Sequence, residues 1–198
     1  MHHECLAVNE FVAELFQVEL FNRAMDNGSL LVGIEPSAIL SFRDEYPDLV
    51  GEKLLPYARR IAESALMIDE FIAKEAEAGK ITSDQFTSEA RDIILHGHCQ
   101  QKAVASTAST IKILSLPKNY NVREIPSGCC GMAGSFGYEK EHYDLSMKVG
   151  ELVLFPEVRD ASPGTLIAAP GTSCRHHILD GTGKYARHPV ELLFDALI

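Results

Sequence analysis

Three features that would place the chain in a large functional class are missing from its sequence. No apolar run approaches the roughly 18–20 residues of a membrane-spanning helix. The first residues, MHHEC, have neither the basic nor the apolar segment of a secretion signal. Basic residues are in deficit, since 18 Lys and Arg stand against 28 Asp and Glu for a formal net charge of -10. This charge disfavours nucleic acid or an anionic membrane surface as a partner, and we expect a cytoplasmic protein that binds no nucleic acid.

The composition is otherwise that of an ordinary globular domain. The 198 residues are 46% hydrophobic and 23% charged, which is enough for a core and argues against disorder. Five cysteines are an odd number, so they cannot all pair with one another inside one chain. Without a secretion signal, we expect them to be reduced. Cys5 lies close to the terminus and is expected to be irrelevant to the site formed by the others.

The most informative segment contains two adjacent cysteines, Cys129 and Cys130, between Gly128 and Gly131. Neighbouring thiols rarely serve packing, and the glycines let the backbone turn sharply so that both sulfurs reach one side. Cys99 and Cys174 each stand alone in the sequence. The spacing is too wide for a zinc finger or a ferredoxin run, whose ligands cluster within a few residues. The four cysteines would suit ligands carried on separate loops of an α/β domain.

Short apolar strands alternate with helical segments along the chain. We predict strands at 29–34, 92–95, 122–125 and 165–169, the first of them buried, and helices at 6–27, 38–46, 54–78, 100–115, 140–159, 174–180 and 189–197. Ser37 is the expected N-cap of the second helix, and Pro156 the expected break in the fifth. The pattern predicts an α/β fold with a parallel sheet of about four strands and helices on both faces.

Each of the last three predicted strands is followed by cysteine. Cys99 follows the strand at 92–95, Cys129 and Cys130 follow the next, and Cys174 follows the last. Because ligands of open parallel sheets gather at the carboxyl ends of the strands, we expect these thiols to share one metal or iron–sulfur site. His96 and His98 precede Cys99 and should lie near the site, where an imidazole could contact a cluster sulfur.

Other interpretations of these residues stay open. The thiols could be buried as small hydrophobic groups, or bind zinc together with histidine. Cys130 or Cys174 could be a nucleophile with a neighbouring histidine. The glycines from 131 to 137 resemble a dinucleotide fingerprint, but they follow the cysteine pair and not a strand, so phosphate binding is a weak interpretation. We expect Gly128 and Gly131 instead to let the backbone approach a bound cofactor.

Four stretches resemble the cysteine-rich CCG domain, which occurs in heterodisulfide reductase, in the iron–sulfur component of glycolate oxidase and in anaerobic glycerol-3-phosphate dehydrogenase. They are GIEPSAILSFRDEYPDL (33–49), HGHCQQKA (96–103), SGCCGMAGSFGYEKEHY (127–143) and GTSCRHHILDGTGKYARHPVELL (171–193). The resemblance is strongest to the C-terminal part of fused FAD-linked, iron–sulfur oxidoreductases of the D-lactate dehydrogenase type. It implies that residues 81–198 form a complete second CCG repeat and residues 1–80 the remainder of a first.

The resemblance also implies a ligand set. Cys99 matches the lone cysteine of a repeat, Cys129 and Cys130 match the pair, and Cys174 matches the first cysteine of the closing element. His177 stands where that element ends in cysteine, so it is a candidate fifth metal ligand beside the four thiols, and His98 is a candidate cofactor contact. Ala38 occupies the position of the first repeat's closing cysteine, so that half-site should hold no metal.

The function that the resemblance implies is electron transfer. The chain would be the iron–sulfur or thiol redox module of an oxidoreductase of 2-hydroxy acids such as lactate or glycolate, with a [4Fe–4S] or related cluster. FAD would sit on a partner subunit or on a missing N-terminal domain, so the chain alone would be inactive. The acceptor would be a quinone or another membrane carrier, which would place the protein at the inner face of the membrane. The alternatives are a cluster-free structural or interaction domain and a zinc-binding domain.

Overall fold

The computed structural model describes residues 18, 20–24 and 28–198. Contacts within the chain divide it into two compact units, Met1–Met67 and Ile68–Ile198. The predicted helix at 6–27 falls mostly outside the described residues, although residues 18 and 20–24 are helical. Cys5 also lies outside them. The assignment of residues 1–80 and 81–198 to two repeats stays a prediction.

The first unit contains a two-stranded parallel sheet and short helices. Its elements are β1 (Leu31–Gly33), α1 (Pro36–Leu40), α2 (Glu45–Leu49), α3 (Leu55–Ser64) and β2 (Ala65–Met67). Leu31 pairs with Ala65, and Gly33 pairs with Met67. The Arg43 guanidinium donates to the carbonyl oxygen of Ala65 at 2.7 Å, which ties the turn between α1 and α2 to the start of β2.

Three predictions for this unit were wrong in detail. β1 is not a buried strand, because Val32 in it is exposed. The N-cap of α1 is Glu35, with Pro36 in its first turn, and not Ser37. The predicted helix at 54–78 is interrupted by β2, whose residues are all buried. Helix propensity was overridden there because Ala65–Met67 can pair with β1 and bury its side chains.

The second unit contains a three-stranded sheet and most of the helices. Its elements are α4 (Ile68–Glu77), β3 (Arg91–Leu95), α5 (Cys99–Val104), α6 (Ala108–Leu114), β4 (Tyr120–Glu124), α7 (Tyr143–Leu152), α8 (Leu154–Asp160), β5 (Leu166–Ala168), α9 (Thr172–Thr182) and α10 (Pro189–Asp195). Single 3-10 turns lie at Ser83–Gln85 and Phe136–Tyr138.

The three strands are parallel, in the order β4-β3-β5. Side chains of β3 alternate between two cores, as the pleat requires. Ile93 and Leu95 pack with Leu114 of α6 and Leu192 of α10, whereas Ile94 shares a cluster with residues of α8 and α9. The α/β class and the helices on both faces are therefore confirmed. The described strands form two sheets, of two and three strands, where the sequence predicted one sheet of about four.

The predicted helix at 38–46 falls on α1 and α2, and two predicted helices of the second unit are divided as well. The helix at 100–115 is α5 and α6, and the helix at 140–159 is α7 and α8. The second break falls at Val153, with φ -146°, and not at Pro156, which sits in the first turn of α8. Proline is tolerated there because the first amides of a helix have no intrahelical partner.

A buried aromatic ring joins the helices beside the three-stranded sheet. Phe155, at the start of α8, is fully buried. A Cβ added to Gly150 of α7 or to Gly181 of α9 would lie 2.3 Å from its ring. The ring therefore occupies the space that two glycines leave open, and its centroid is 4.9 Å from the imidazole of His177.

Within the part of the chain that the structure describes, every helix is too short or too polar to cross a lipid bilayer.

Candidate metal centre

Three loops meet at the carboxyl edge of the three-stranded sheet. The loop after β3 carries His96, His98 and Cys99, the loop after β4 carries Cys129 and Cys130, and the loop after β5 leads to Cys174 in the first turn of α9. β3 is the central strand, so its loop lies between the other two. Parallel pairing thus brings together residues that are far apart in sequence.

Cys99 is the first residue of α5, and His98 is its N-cap. The Nδ1 atom of His98 accepts a hydrogen bond from the backbone N–H of Gln100 at 3.3 Å. This bond satisfies one of the free amides at the helix start and fixes the turn that presents Cys99. His98 is buried, whereas Cys99 is exposed. The prediction that His98 contacts a bound cofactor stays a prediction.

The four thiols form one connected group. Cys99 is hydrogen bonded to Cys129, Cys129 to Cys130, and Cys130 to Cys174. Cys130 and Cys174 are buried, Cys129 is half-buried, and Cys99 is exposed. The structure therefore places all four cysteines of the sequence-predicted site together. The group is open to solvent at Cys99 and closed to it at Cys130 and Cys174.

Hydrogen bonding divides the thiols into donors and acceptors. Bonds from Cys130 and then Cys99 hold the pKa of Cys129 well below its usual range, and the N–H of Gly131 also donates to its sulfur, at 3.3 Å. A bond from Cys130, supported by His96 against the opposing effect of burial, lowers the pKa of Cys174 to about 5. The pKa of Cys99 is raised because it donates to Cys129.

The pKa of Cys130 is raised by its hydrogen bonds with Cys129, which has the larger effect, and with Cys174, two sulfurs that share its single thiol proton. The lowered pKa values of Cys129 and Cys174 favour the thiolate form at these two positions. Thiolates are the form of cysteine that ligates metal ions.

The two glycines predicted to contact a cofactor differ in their surroundings. A Cβ on Gly131, whose φ is 115°, would lie 2.4 Å from the Ser146 carbonyl oxygen and 3.2 Å from Nε2 of His177. A Cβ on Gly128 would have no atom within 4 Å. Gly131 is thus required by the close approach of α7, and Gly128 has open space beside it. Their contact with a cofactor stays a prediction.

His96 is more central than the sequence indicated. One of its ring nitrogens and the sulfurs of Cys130 and Cys174 all lie within 4.8 Å of one another. Its Nδ1 lies 2.7 Å from the Ser127 hydroxyl oxygen, and its Nε2 is buried without a hydrogen-bond partner among the described residues. The sequence carried no signal that separated it from His98, since both residues flank Gly97.

His177 has partners of its own on α7. Its Nε2 lies 3.1 Å from the carbonyl oxygen and 3.3 Å from the hydroxyl oxygen of Ser146. The carbonyl can only accept, so Nε2 carries the proton and donates. The residue is buried, and its ring packs against Phe155. Metal ligation by His177 stays a prediction.

The donor set fits a metal or an iron–sulfur cluster. Four thiol groups converge there, and the Nε2 atom of His96 is a buried polar atom without a partner among the described residues, which is costly unless something else meets it. Soft sulfur ligands select iron–sulfur clusters or zinc. Cys99, Cys129, Cys130 and Cys174 would be the residues that hold it.

The chain is similar to parts of oxidoreductases. Over 180 residues it is 27% identical to D-2-hydroxyglutarate dehydrogenase of Escherichia coli strain K12, a match that covers 90% of this chain and 17% of the relative. The same enzyme of Haemophilus influenzae is 27% identical over 188 residues, which is 91% of this chain and 17% of the relative.

One component of the anaerobic glycerol-3-phosphate dehydrogenase of Escherichia coli strain K12 is a further relative. It is 22% identical over 170 residues, which is 86% of this chain and 41% of that component. The chain thus spans less than half the length of each of these curated relatives. No family model matches the chain, and no solved structure matches it.

Proposed function

We propose that the chain is an electron-transfer module that binds one iron–sulfur cluster through Cys99, Cys129, Cys130 and Cys174. It would serve a flavin-linked dehydrogenase of 2-hydroxy acids of the lactate or glycolate type. The observation that carries the proposal is the convergence of four thiols from three loops at one sheet edge. The similarity to D-2-hydroxyglutarate dehydrogenase supports the substrate class.

The exposure of the thiols supports a role in electron transfer. Cys130 and Cys174 lie on the closed side of the site, whereas Cys99 is exposed. A bound cluster would supply one-electron oxidation and reduction between a two-electron flavin and an electron acceptor. The protein would hold the cluster away from water on one side and leave the Cys99 edge within reach of a partner.

The flavin would belong to another segment or subunit. The sequence stretches that resemble known domains belong to the CCG type, and the curated relatives are longer than this chain. We therefore propose an FAD-containing dehydrogenase domain or subunit as the electron donor, and a quinone or another membrane carrier as the acceptor. The chain would work at the inner face of the membrane as part of that assembly.

Anaerobic purification tests this function. We expect a brown protein with iron and acid-labile sulfide in matching amounts, and a paramagnetic resonance signal in one redox state. Zinc without sulfide would overturn the proposal in favour of a zinc-binding domain. A colourless protein that takes up no metal after anaerobic reconstitution with iron and sulfide would overturn it in favour of a structural or interaction domain.

A further inference from the structure

His96 occupies a position between a hydroxyl group and two sulfurs. It is fully buried, and its Nδ1 lies 2.7 Å from the Ser127 hydroxyl oxygen. A ring nitrogen lies within 4.8 Å of the sulfurs of Cys130 and Cys174. Its Nε2 has no hydrogen-bond partner among the described residues. A buried imidazole nitrogen without a partner is costly, so this atom calls for an explanation.

The hydroxyl group of Ser127 determines where the imidazole proton sits. Ser127 is buried, and Nδ1 of His96 is the one hydrogen-bond partner that the described residues offer its side chain. Burying a hydroxyl group costs more free energy when its proton has no acceptor than when its lone pairs have no donor. Ser127 therefore donates to Nδ1, which leaves the proton of the neutral ring on Nε2.

We propose that, once a cluster is bound, His96 donates this Nε2–H to the sulfur of Cys174, one of its two nearest thiols, and thereby sets the reduction potential of the site. The inference rests on the proposed function, because it treats that sulfur as a metal ligand. A donor to a ligating sulfur stabilises the more negative, reduced state of a cluster and so raises the potential.

The opposite tautomer would give His96 a different role. If Nδ1 carried the proton and donated to Ser127, the lone pair of Nε2 would point toward the sulfurs. His96 would then be a metal ligand, as in sites where the second ring nitrogen of a ligating histidine donates to a neighbouring oxygen. The two roles differ in the position of one proton, and that position can be measured in the metal-free protein.

Nitrogen-15 NMR of the reduced, metal-free protein measures the tautomer with the imidazole neutral. We expect the Nε2–H form for His96. The Nδ1–H form would overturn the proposal. This measurement does not depend on a cluster, so it stays informative if the protein binds no iron and the proposed function fails.

The iron-loaded protein gives a second test. We expect His96→Gln to keep the iron and sulfide content of the parent and to shift the reduction potential to a more negative value. An unchanged potential, or loss of iron, would overturn the proposal, the latter in favour of ligation. If His96→Gln does not fold, Ser127→Ala should produce a smaller shift in the same direction, and no shift would count against the proposal. His142→Gln is the matched control, since His142 pairs with Glu139 at the surface.

Discussion

The ammonium group of Lys102 lies 2.6 Å from the carbonyl oxygen of Ser127. This bond joins α5, which carries Cys99, to the loop that carries Cys129 and Cys130. Gly97 leaves the space for it, because a Cβ there would lie 2.8 Å from Cε of Lys102. Glu124 lies 4.0 Å from the same ammonium group. Two of the three loops of the candidate site are therefore held together by a lysine outside the ligand set.

Replacing this lysine should loosen the site. We expect Lys102→Met to lower the free energy of unfolding by about 1–2 kcal/mol, since it removes a charged hydrogen bond to a loop carbonyl that is partly screened by solvent. Iron should also leave the loaded protein faster in the presence of a chelator. Lys112→Met is the control, because Lys112 pairs with Glu77 at the surface, where solvent screening leaves such a pair with little effect on stability. Equal effects of the two variants would contradict the role given to Lys102.

The glycines beside the cysteine pair should differ in their tolerance of alanine. Gly131→Ala should cost roughly 2–3 kcal/mol, because its φ is 115° and the new Cβ would meet the Ser146 carbonyl oxygen, which is backbone and cannot swing away. Gly128→Ala should change stability by less than about 0.5 kcal/mol. Urea unfolding of the metal-free variants measures both. A large loss for Gly128→Ala would show a constraint that its open surroundings do not explain.

Cysteine variants can separate ligation from packing. If the thiols served packing alone, Cys99→Ala would have no effect, because Cys99 is exposed. We expect this variant to leave the stability of the metal-free protein within about 0.5 kcal/mol of the parent and yet to abolish most iron binding. Cys174→Ala should lose iron as well and cost about 1 kcal/mol, since the side chain is buried. Cys5→Ser should retain iron. Loss of iron from this variant would add Cys5 to the site.

Asp69 should make the stability of the protein depend on pH. Burial raises its pKa, against the effect of a hydrogen bond from the Thr110 hydroxyl. The folded state therefore holds a proton that the unfolded state releases, between the ordinary carboxyl pKa of about 4 and the raised value. Stability from this group is complete below that window and is lost as the pH rises through it.

The variant Asp69→Asn removes this titration. An asparagine keeps a side-chain oxygen that can accept the hydrogen bond from Nε2 of Gln101. We expect the wild-type free energy of unfolding to fall relative to that of the variant as the pH rises from about 4, and then to level off. Denaturant unfolding at several pH values measures the difference. A difference that is constant with pH would rule out the raised pKa.

The sequence predicted which residues form the site better than it predicted the bounds of the helices and strands around them. Cys99, Cys129, Cys130 and Cys174 were placed together because each follows a short apolar strand, and parallel strands deliver their carboxyl ends to one edge. The hydrogen-bonded group of thiols agrees with that placement. Their role as ligands cannot be read from this geometry, since the same contacts are compatible with zinc.

The sequence could not predict where the helices break. The segment at 54–78 has the composition of one helix, but Ala65–Met67 pair with β1, and local propensity carries no information on a partner strand roughly 30 residues away. His96 and His98 could not be ranked either, because both flank Gly97. Only the structure shows that His98 caps α5 with its Nδ1, whereas His96 turns toward Cys130 and Cys174.

The packing of Phe155 has a consequence for how this chain can vary. Its ring fills the space above Gly150 and Gly181, so a methyl group at either position would collide with it. A smaller side chain at 155 would relieve that collision, but the imidazole of His177 would lose the ring against which it packs. Substitutions at 150, 155 and 181 are therefore tolerated jointly and not singly. In homologous chains we expect these three positions to covary, with a bulkier residue at one of them matched by a smaller one at another.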